Sequence, residues 1–148
     1  MTLPLGARIE SGVTRFAVRS PLAREVSLCF FVGGAEQRVA MQRHGDCWTA
    51  EVPGDLTGAH YGYRADGEWA PERGLWFDPA KLLVDPHATQ LDHRFIFDQR
   101  LSVFGEETAA LVPKAIVTGE LPTVPSAPPR FTQGGLIYEL NEIGRAHV

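Results

Sequence analysis

Between Val13 and Asp66 apolar side chains recur at every second position, and Gly- or Pro-bearing breakers cut the pattern into short runs. A period of two puts alternate residues on one face of an extended chain, so each run is a strand with one buried face. In "GVTRFAVRS" the inward set is Thr14, Phe16 and Val18. In "REVSLCFFV" it is Val26, Leu28, Phe30 and Val32, while the apolar Cys29 and Phe31 on the other face predict a central strand covered on both sides. "GGAE" supplies a hairpin turn into "QRVAMQ", and "RHGD" turns the chain again into "CWTAEVPG", with Trp48, Ala50 and Val52 inward. "GAHYGYRADG" comes next, placing Tyr61, Tyr63 and Ala65 inward and closing on an Asp-Gly pair read as a turn tolerant of positive φ. Short strands at turn-separated intervals predict an all-β sandwich.

From Glu68 to Asp98 prolines at 71, 79 and 86 hold their neighbours extended, which predicts a long packed loop with a short strand at "KLLVD". One helical turn is expected near "GEETAALV", and a strand at "PKAIV". "TGELPTVPSAPPRFTQGG" is Pro- and Gly-rich in the manner of a linker, and "LIYEL" beyond it is strand-like, with no pairing strand in the few residues after it. The expected divisions are a sandwich over 1–120, a linker over 121–135, a strand over 136–141 and a distinct tail over 142–148.

The formal net charge is −4 and the Lys and Arg residues are scattered, which argues against nucleic acid or anionic lipid as a partner. No run approaches the roughly 20 apolar residues of a membrane span, and "MTLPLGARIE" has no secretory pattern, so a cytoplasmic address is expected. Cys29 and Cys47 are the only cysteines and lack metal-ligand spacing, predicting a buried, reduced pair. His44, His60, His87, His93 and His147 also lack that spacing, and no phosphate loop or nucleophile elbow occurs. No metal or cofactor is expected. Asp78, Asp85 and Asp98 stand beside Pro or near turns and read as turn formers.

Taken in order, "FAVRSPLAREVSLCFF", "YGYRADGEWAPERGLWFDPAKLLVDPHA", "VPKAIV" and "LIYEL" resemble the N-terminal region of isoamylase-type glycogen debranching enzymes, from about Leu5 to Leu140. The resemblance implies an immunoglobulin-like β-sandwich of the carbohydrate-binding-module type, preceding an α-amylase-type (β/α)₈ barrel whose first strand "LIYEL" would be. It implies an accessory role in cleaving α-1,6 branch linkages of glycogen or a related α-glucan. Retaining glycosidases need two carboxyl groups about 5–5.5 Å apart; in that family these lie on later barrel strands, so no residue here inherits catalysis. After Asn141 the chain departs from the family pattern, and 142–148 are expected to be read-through from a truncated gene fragment.

The resemblance also assigns sites. Sugars stack their C–H faces on aromatic rings, and Trp69 follows an Asp-Gly pair much as the turn Trp does in the glycogen-binding modules of AMP-activated kinase β subunits. Trp69 is thus the expected glucan contact, with Arg64 as a nearby basic partner. Those modules carry a second Trp in the turn after the strand matching "EVSLCFF"; here that turn is "VGGAEQR". Trp76, Phe77, Leu82 and Leu83 fall where the family locks sandwich to barrel, and are expected at an interdomain contact. Two other readings stay open: a free-standing α-glucan-binding module, and an immunoglobulin-like interaction domain without sugar affinity.

Overall fold

In a computed structural model the described residues are 4–119, 125–128 and 134–136. Residues 137–141 of the expected strand and the tail at 142–148, with most of the linker, lie outside the described residues. Among the described residues there is no α-helix, and the strands form two four-stranded antiparallel sheets that are not closed into a barrel.

One sheet has the order β1-β2-β6-β5, from Gly6–Glu10, Val13–Arg19, Cys47–Pro53 and Gln42–His44. The other runs β10-β7-β3-β4, from Ala115–Ile116, His60–Asp66, Glu25–Val32 and Ala35–Ala40. The chain changes sheets between β4 and β5 at Met41, which is buried and donates its N–H to Val26 O at 2.9 Å. One residue thus joins the edge strands of the two sheets.

The inward sets are those the alternation predicts except at Val32, which is 63% exposed where β3 runs out into the Gly33–Gly34 turn. Phe16 on β2 lies edge-on to Phe30 at 5.4 Å and to Tyr61 at 5.0 Å, joining the two sheets at their centre. Tyr63, Trp48, Leu28 and Val26 complete this core. Burial of that many large apolar groups, at about 1.5–3 kcal/mol each, is the main term holding the sheets together. Strand β1 is an addition: Ala7 and Ile9 pack on the core, but "GARIE" is too short and charged to announce itself.

A second, smaller core lies on the outer face of β3, where Cys29, Leu82 and Val112 are buried with Phe31, Val84 and Leu101 against them. The segment 75–112 therefore covers β3 and β7 from outside, as the two-sided apolarity of β3 predicts. The expected strand at "KLLVD" reduces to one bridge, Tyr63 to Leu83, closed by two backbone hydrogen bonds of 2.8 Å. Leu82 turns down into the second core and β10 takes the neighbouring stretch of the β7 edge, so no longer ladder forms. A single hydrogen-bonded turn closes at Thr108–Val112, where Thr108 O accepts the Leu111 and Val112 N–H groups at 2.9 and 3.0 Å, and a 3₁₀ turn forms in addition at Gln99–Ser102, where Asp98 caps it by accepting the Arg100 N–H at 2.9 Å. Both cysteines are free, but only Cys29 is buried; Cys47 is half-exposed on the other sheet. Burial, reinforced by the Glu36 carboxylate, pushes the Cys29 thiol up to about 12.

Candidate aromatic site at the β8–β9 hairpin

Beyond β7 the chain makes a two-stranded hairpin of β8 (Trp69–Ala70) and β9 (Leu75–Trp76), joined by a 3₁₀ turn at Pro71–Arg73. Proline at the start of this turn carries the φ it needs, and Gly74 ends it in the left-handed region at φ 75°. That turn sets the register in which Trp69 faces Trp76. Their rings meet edge to face, 5.4 Å between centroids and 87° between planes. Phe104 comes from the far end of the covering segment and lies 4.5 Å from Trp69. All three rings remain open to solvent, Trp69 by 38%, Trp76 by 62% and Phe104 by 54%.

The loop that carries Phe104 is held by polar contacts. Lys81 Nζ donates to the carbonyls of Arg100, Val103 and Glu106, and Asp78 Oδ2 accepts the Gly105 N–H at 2.8 Å, so the residues flanking Phe104 are fixed in place. Underneath, Phe77 packs on Gly67, where an added Cβ would stand 2.5 Å from the ring. Gly67 is therefore needed for close approach and not for positive φ, which it does not adopt. At the rim Glu68 and Arg73 form an exposed ion pair beside Trp69, offering hydroxyl partners next to the rings.

Arg64 does not join this site. It is 3% exposed, because the outward face of β7 lies under the covering segment. All five N–H groups of its guanidinium are engaged: with Glu36 at 2.7 and 2.6 Å, Glu107 at 2.6 Å, and the carbonyls of Pro79 at 3.0 Å and Ala80 at 2.7 Å. No donor remains for a sugar, which overturns the expectation for this residue. Of the expected interdomain set, Leu82 is corrected likewise, being 3% exposed within the second core, and Phe77 is half-buried against the main one. Trp76 and Leu83 are exposed. They border an open apolar groove of ≈ 630 Å³ that Leu22 and Phe95 also line.

The acids are structural. Asp85 is buried and accepts hydrogen bonds from Tyr61 and Tyr63, Asp78 fixes the Gly105 turn, and Asp98 caps the 3₁₀ turn. Among the described residues no group of three or more His, Cys, Asp or Glu is placed to hold a metal ion. No helix of the described residues is long and apolar enough to cross a membrane.

Glu36 gives the module a measurable acid limit. Hydrogen bonding to Arg64, against the opposing effect of burial, holds its carboxyl at about 2 where glutamate ordinarily titrates at 4.5. Its contribution to stability is complete above 4.5 and is lost as pH falls from there through about 2. Glu107 is moved in the same direction by Arg64 and the Ala109 N–H, which overcome its burial. Urea midpoints measured across this window are expected to fall steeply for the wild type and less so for Glu36→Gln. Parallel curves for the two proteins would contradict this assignment.

Two packed antiparallel sheets, with an exposed aromatic hairpin following β7, define a β-sandwich module. Residues 4–88 match carbohydrate-binding module 48 (isoamylase N-terminal domain), more than half of the chain, and the chain belongs to that family. Among solved structures, the catalytic module of the multi-modular glycogen-degrading pneumococcal virulence factor SpuA aligns with a TM-score of 0.57 at 19% identity, over 80% of this chain and 17% of that one. Pullulanase from Bacillus acidopullulyticus aligns with a TM-score of 0.51 at 18% identity, over 78% of this chain and 12% of that one. PulA from Klebsiella pneumoniae, ligand-free, gives 0.51 at 24% identity over 58% and 8%. At these identities the likeness is one of fold, and the chain spans a small fraction of each relative's length.

Proposed function

We propose that this module is the N-terminal accessory domain of a glycoside hydrolase that cleaves α-1,6 branch linkages in glycogen or a related α-glucan, and that it contacts the glucan through Trp69. The observation that carries the glucan contact is the exposed Trp69 ring, beside the Glu68–Arg73 pair, in a domain of a carbohydrate-binding family. Stacking of a sugar C–H face on an indole, with planar polar groups at its edge, is how such sites bind. Support for the enzyme class comes from the isoamylase N-terminal family itself and from the fold shared with a pullulanase and a glycogen-degrading module. The module supplies support and substrate contact; the paired carboxylates belong to a barrel of the same protein.

A specific observation favours a second contact surface. The groove lined by Leu22, Leu83 and Phe95 is open and apolar, and large exposed apolar areas mark protein contacts. We assign it to packing of that barrel, which keeps Leu83 and the groove side of Trp76 in the interdomain role.

Titrating the protein with glycogen while following tryptophan fluorescence tests the glucan contact. Trp48 is buried in the core, so the ligand-dependent change comes from Trp69 and Trp76. Saturable change is expected for the wild type and a loss of about tenfold or more in affinity for Trp69→Ala. No change up to millimolar glucose equivalents would discard the glucan reading. The enzyme class is tested separately on the source gene, where a barrel with the paired carboxylates is expected downstream.

A further inference from the structure

We propose that the Lys81 ammonium is a built-in cation, filling an oxygen cage that takes a primary ammonium group and so latching the 98–106 loop with Phe104 on Trp69. The cage is made by the carbonyls of Arg100, Val103 and Glu106 beside the Asp78 carboxylate. How this loop is held does not depend on whether Trp69 contacts a glucan. Lysine is scarce in the chain: of 14 basic residues only Lys81 and Lys114 are lysines, and both direct Nζ at backbone carbonyls of the covering segment.

One wall of the cage is local. Asp78, Pro79, Ala80 and Lys81 form a turn closed by the Lys81 N–H on Asp78 O at 2.9 Å, with proline at the second position, where its fixed φ suits a β-turn. Asp78 Oδ1 accepts the Ala80 N–H at 3.0 Å, and Oδ2 accepts the Gly105 N–H at 2.8 Å and lies 3.8 Å from Lys81 Nζ. The other wall is the loop. The Val103 N–H donates to Arg100 O and the Glu106 N–H to Val103 O, each at 3.3 Å, and Gly105 takes the left-handed φ of 79° that lets the chain turn back. Two turns in series bring carbonyls three residues apart within reach of one atom. An ammonium carries three N–H donors, one for each carbonyl. The separations of 3.0 Å to Arg100 O and 2.8 Å to Glu106 O are those of N–H···O bonds; a calcium ion would draw its oxygens to about 2.3–2.6 Å. A planar guanidinium cannot aim three donors from one nitrogen, which accounts for lysine in a chain that otherwise uses arginine. Lys81 is only 14% exposed and Asp78 2%, so water competes poorly for the site. Apart from Leu101, which packs on the second core, the loop has little apolar anchorage, since Val103 and Phe104 are exposed.

Two measurements on the full chain test the cage. With nitrogen-15 placed only in lysine, magnetic resonance of the wild type is expected to show Lys81 ammonium protons exchanging with water roughly tenfold or more slowly than those of a free lysine side chain. Exchange as fast as the free side chain overturns the cage, and this result decides the matter even if no variant folds. The second measurement is amide hydrogen exchange in Lys81→Ala and in Lys81→Met, which keeps an apolar stem without the ammonium. In both, the amides of 99–106, Gly105 above all, are expected to exchange roughly tenfold or more faster than in wild type, while those of β3 and β7 keep their protection. Propylammonium added to Lys81→Ala is expected to restore the protection, and tetramethylammonium at matched concentration, with the same charge and no N–H donor, is expected not to. Wild-type protection in Lys81→Met would mean that stem packing holds the loop and would overturn the latch. Equal restoration by the two cations, or restoration by neither, overturns a cage that takes primary ammonium.

Discussion

Arg64→Ala is expected to lower the free energy of unfolding by about 3–5 kcal/mol, the largest effect of any polar substitution in the module. The reason lies in the completeness of its contacts. The guanidinium sits beneath the covering segment and joins β4 through Glu36, the far loop through Glu107, and the chain after β9 through the carbonyls of Pro79 and Ala80. Truncation leaves the Pro79 carbonyl without a donor, leaves the Ala80 carbonyl only the longer Thr108 N–H at 3.4 Å, and places the Glu36 carboxylate, mostly shielded from water, without its main partner. Glu107 is more than half exposed and recovers water, so its share of the loss is small. Lysine restores charge but brings only three donors in another geometry, so Arg64→Lys is expected to recover less than half of the loss. Urea unfolding of the three proteins at neutral pH decides this. A loss under 1 kcal/mol for Arg64→Ala would mean that the guanidinium is far better hydrated than its burial indicates. A companion readout is the acid window: without Arg64 the Glu36 carboxyl returns toward its ordinary value, and the pH dependence below 4.5 flattens.

Arg64 also shows where sequence reasoning stops. Alternation along β7 assigns His60, Gly62 and Arg64 to the outward face, and that assignment is correct. What alternation does not encode is whether another segment covers that face. On β3 the cover was legible, because Cys29 and Phe31 make both faces apolar. On β7 the covered face is polar, so it reads as solvated, and a basic residue near a Trp reads as a ligand contact. The acidic partners lie 28 residues before Arg64 and 43 after it, at Glu36 and Glu107, and no local pattern links them.

The aromatic site was half legible for a related reason. Trp69 stands out by its position after the Asp-Gly pair. Its pairing with Trp76 depends on a tight turn whose signal, Pro71 at the start and Gly74 at the end, was present in "APERGLW" but was absorbed into a long loop. Phe104 carries no local signal at all, since its position depends on Lys81 and Asp78 capturing a segment more than 20 residues away. Asp-Gly at 66 and 67 gave the right residue for the wrong reason: the glycine is required by the Phe77 ring that supports the hairpin from below.

Asp85→Ala is expected to cost about 2–4 kcal/mol, and the cost is expected to shrink when the tyrosines it serves are also changed. Asp85 is buried at the floor of the covering segment, where its Oδ2 accepts from Tyr61 Oη at 2.7 Å and Tyr63 Oη at 3.2 Å while its Oδ1 accepts the His87 N–H at 2.8 Å. Burial, followed by the Asp85 charge, raises both phenols above their ordinary value, so they stay neutral and remain donors. Alanine at 85 leaves two buried hydroxyls and one backbone N–H without acceptors. Asparagine keeps one acceptor oxygen for the hydroxyls but turns its amide toward the His87 N–H, for an expected loss of about 1–2 kcal/mol. In a Tyr61→Phe, Tyr63→Phe background the hydroxyls are gone, and Asp85→Ala then orphans only the His87 N–H. The cycle is therefore expected to show a coupling of about 1–3 kcal/mol between Asp85 and the tyrosine pair. Additive losses would mean that the hydroxyls find other partners, and that Asp85 acts mainly as the turn former at His87. Coupling would establish that the two tyrosines of "YGY" do more than fill the sandwich core: their hydroxyls anchor the segment that carries Leu82 into the second core and, through Lys81 and Asp78, holds the loop that brings Phe104 to Trp69.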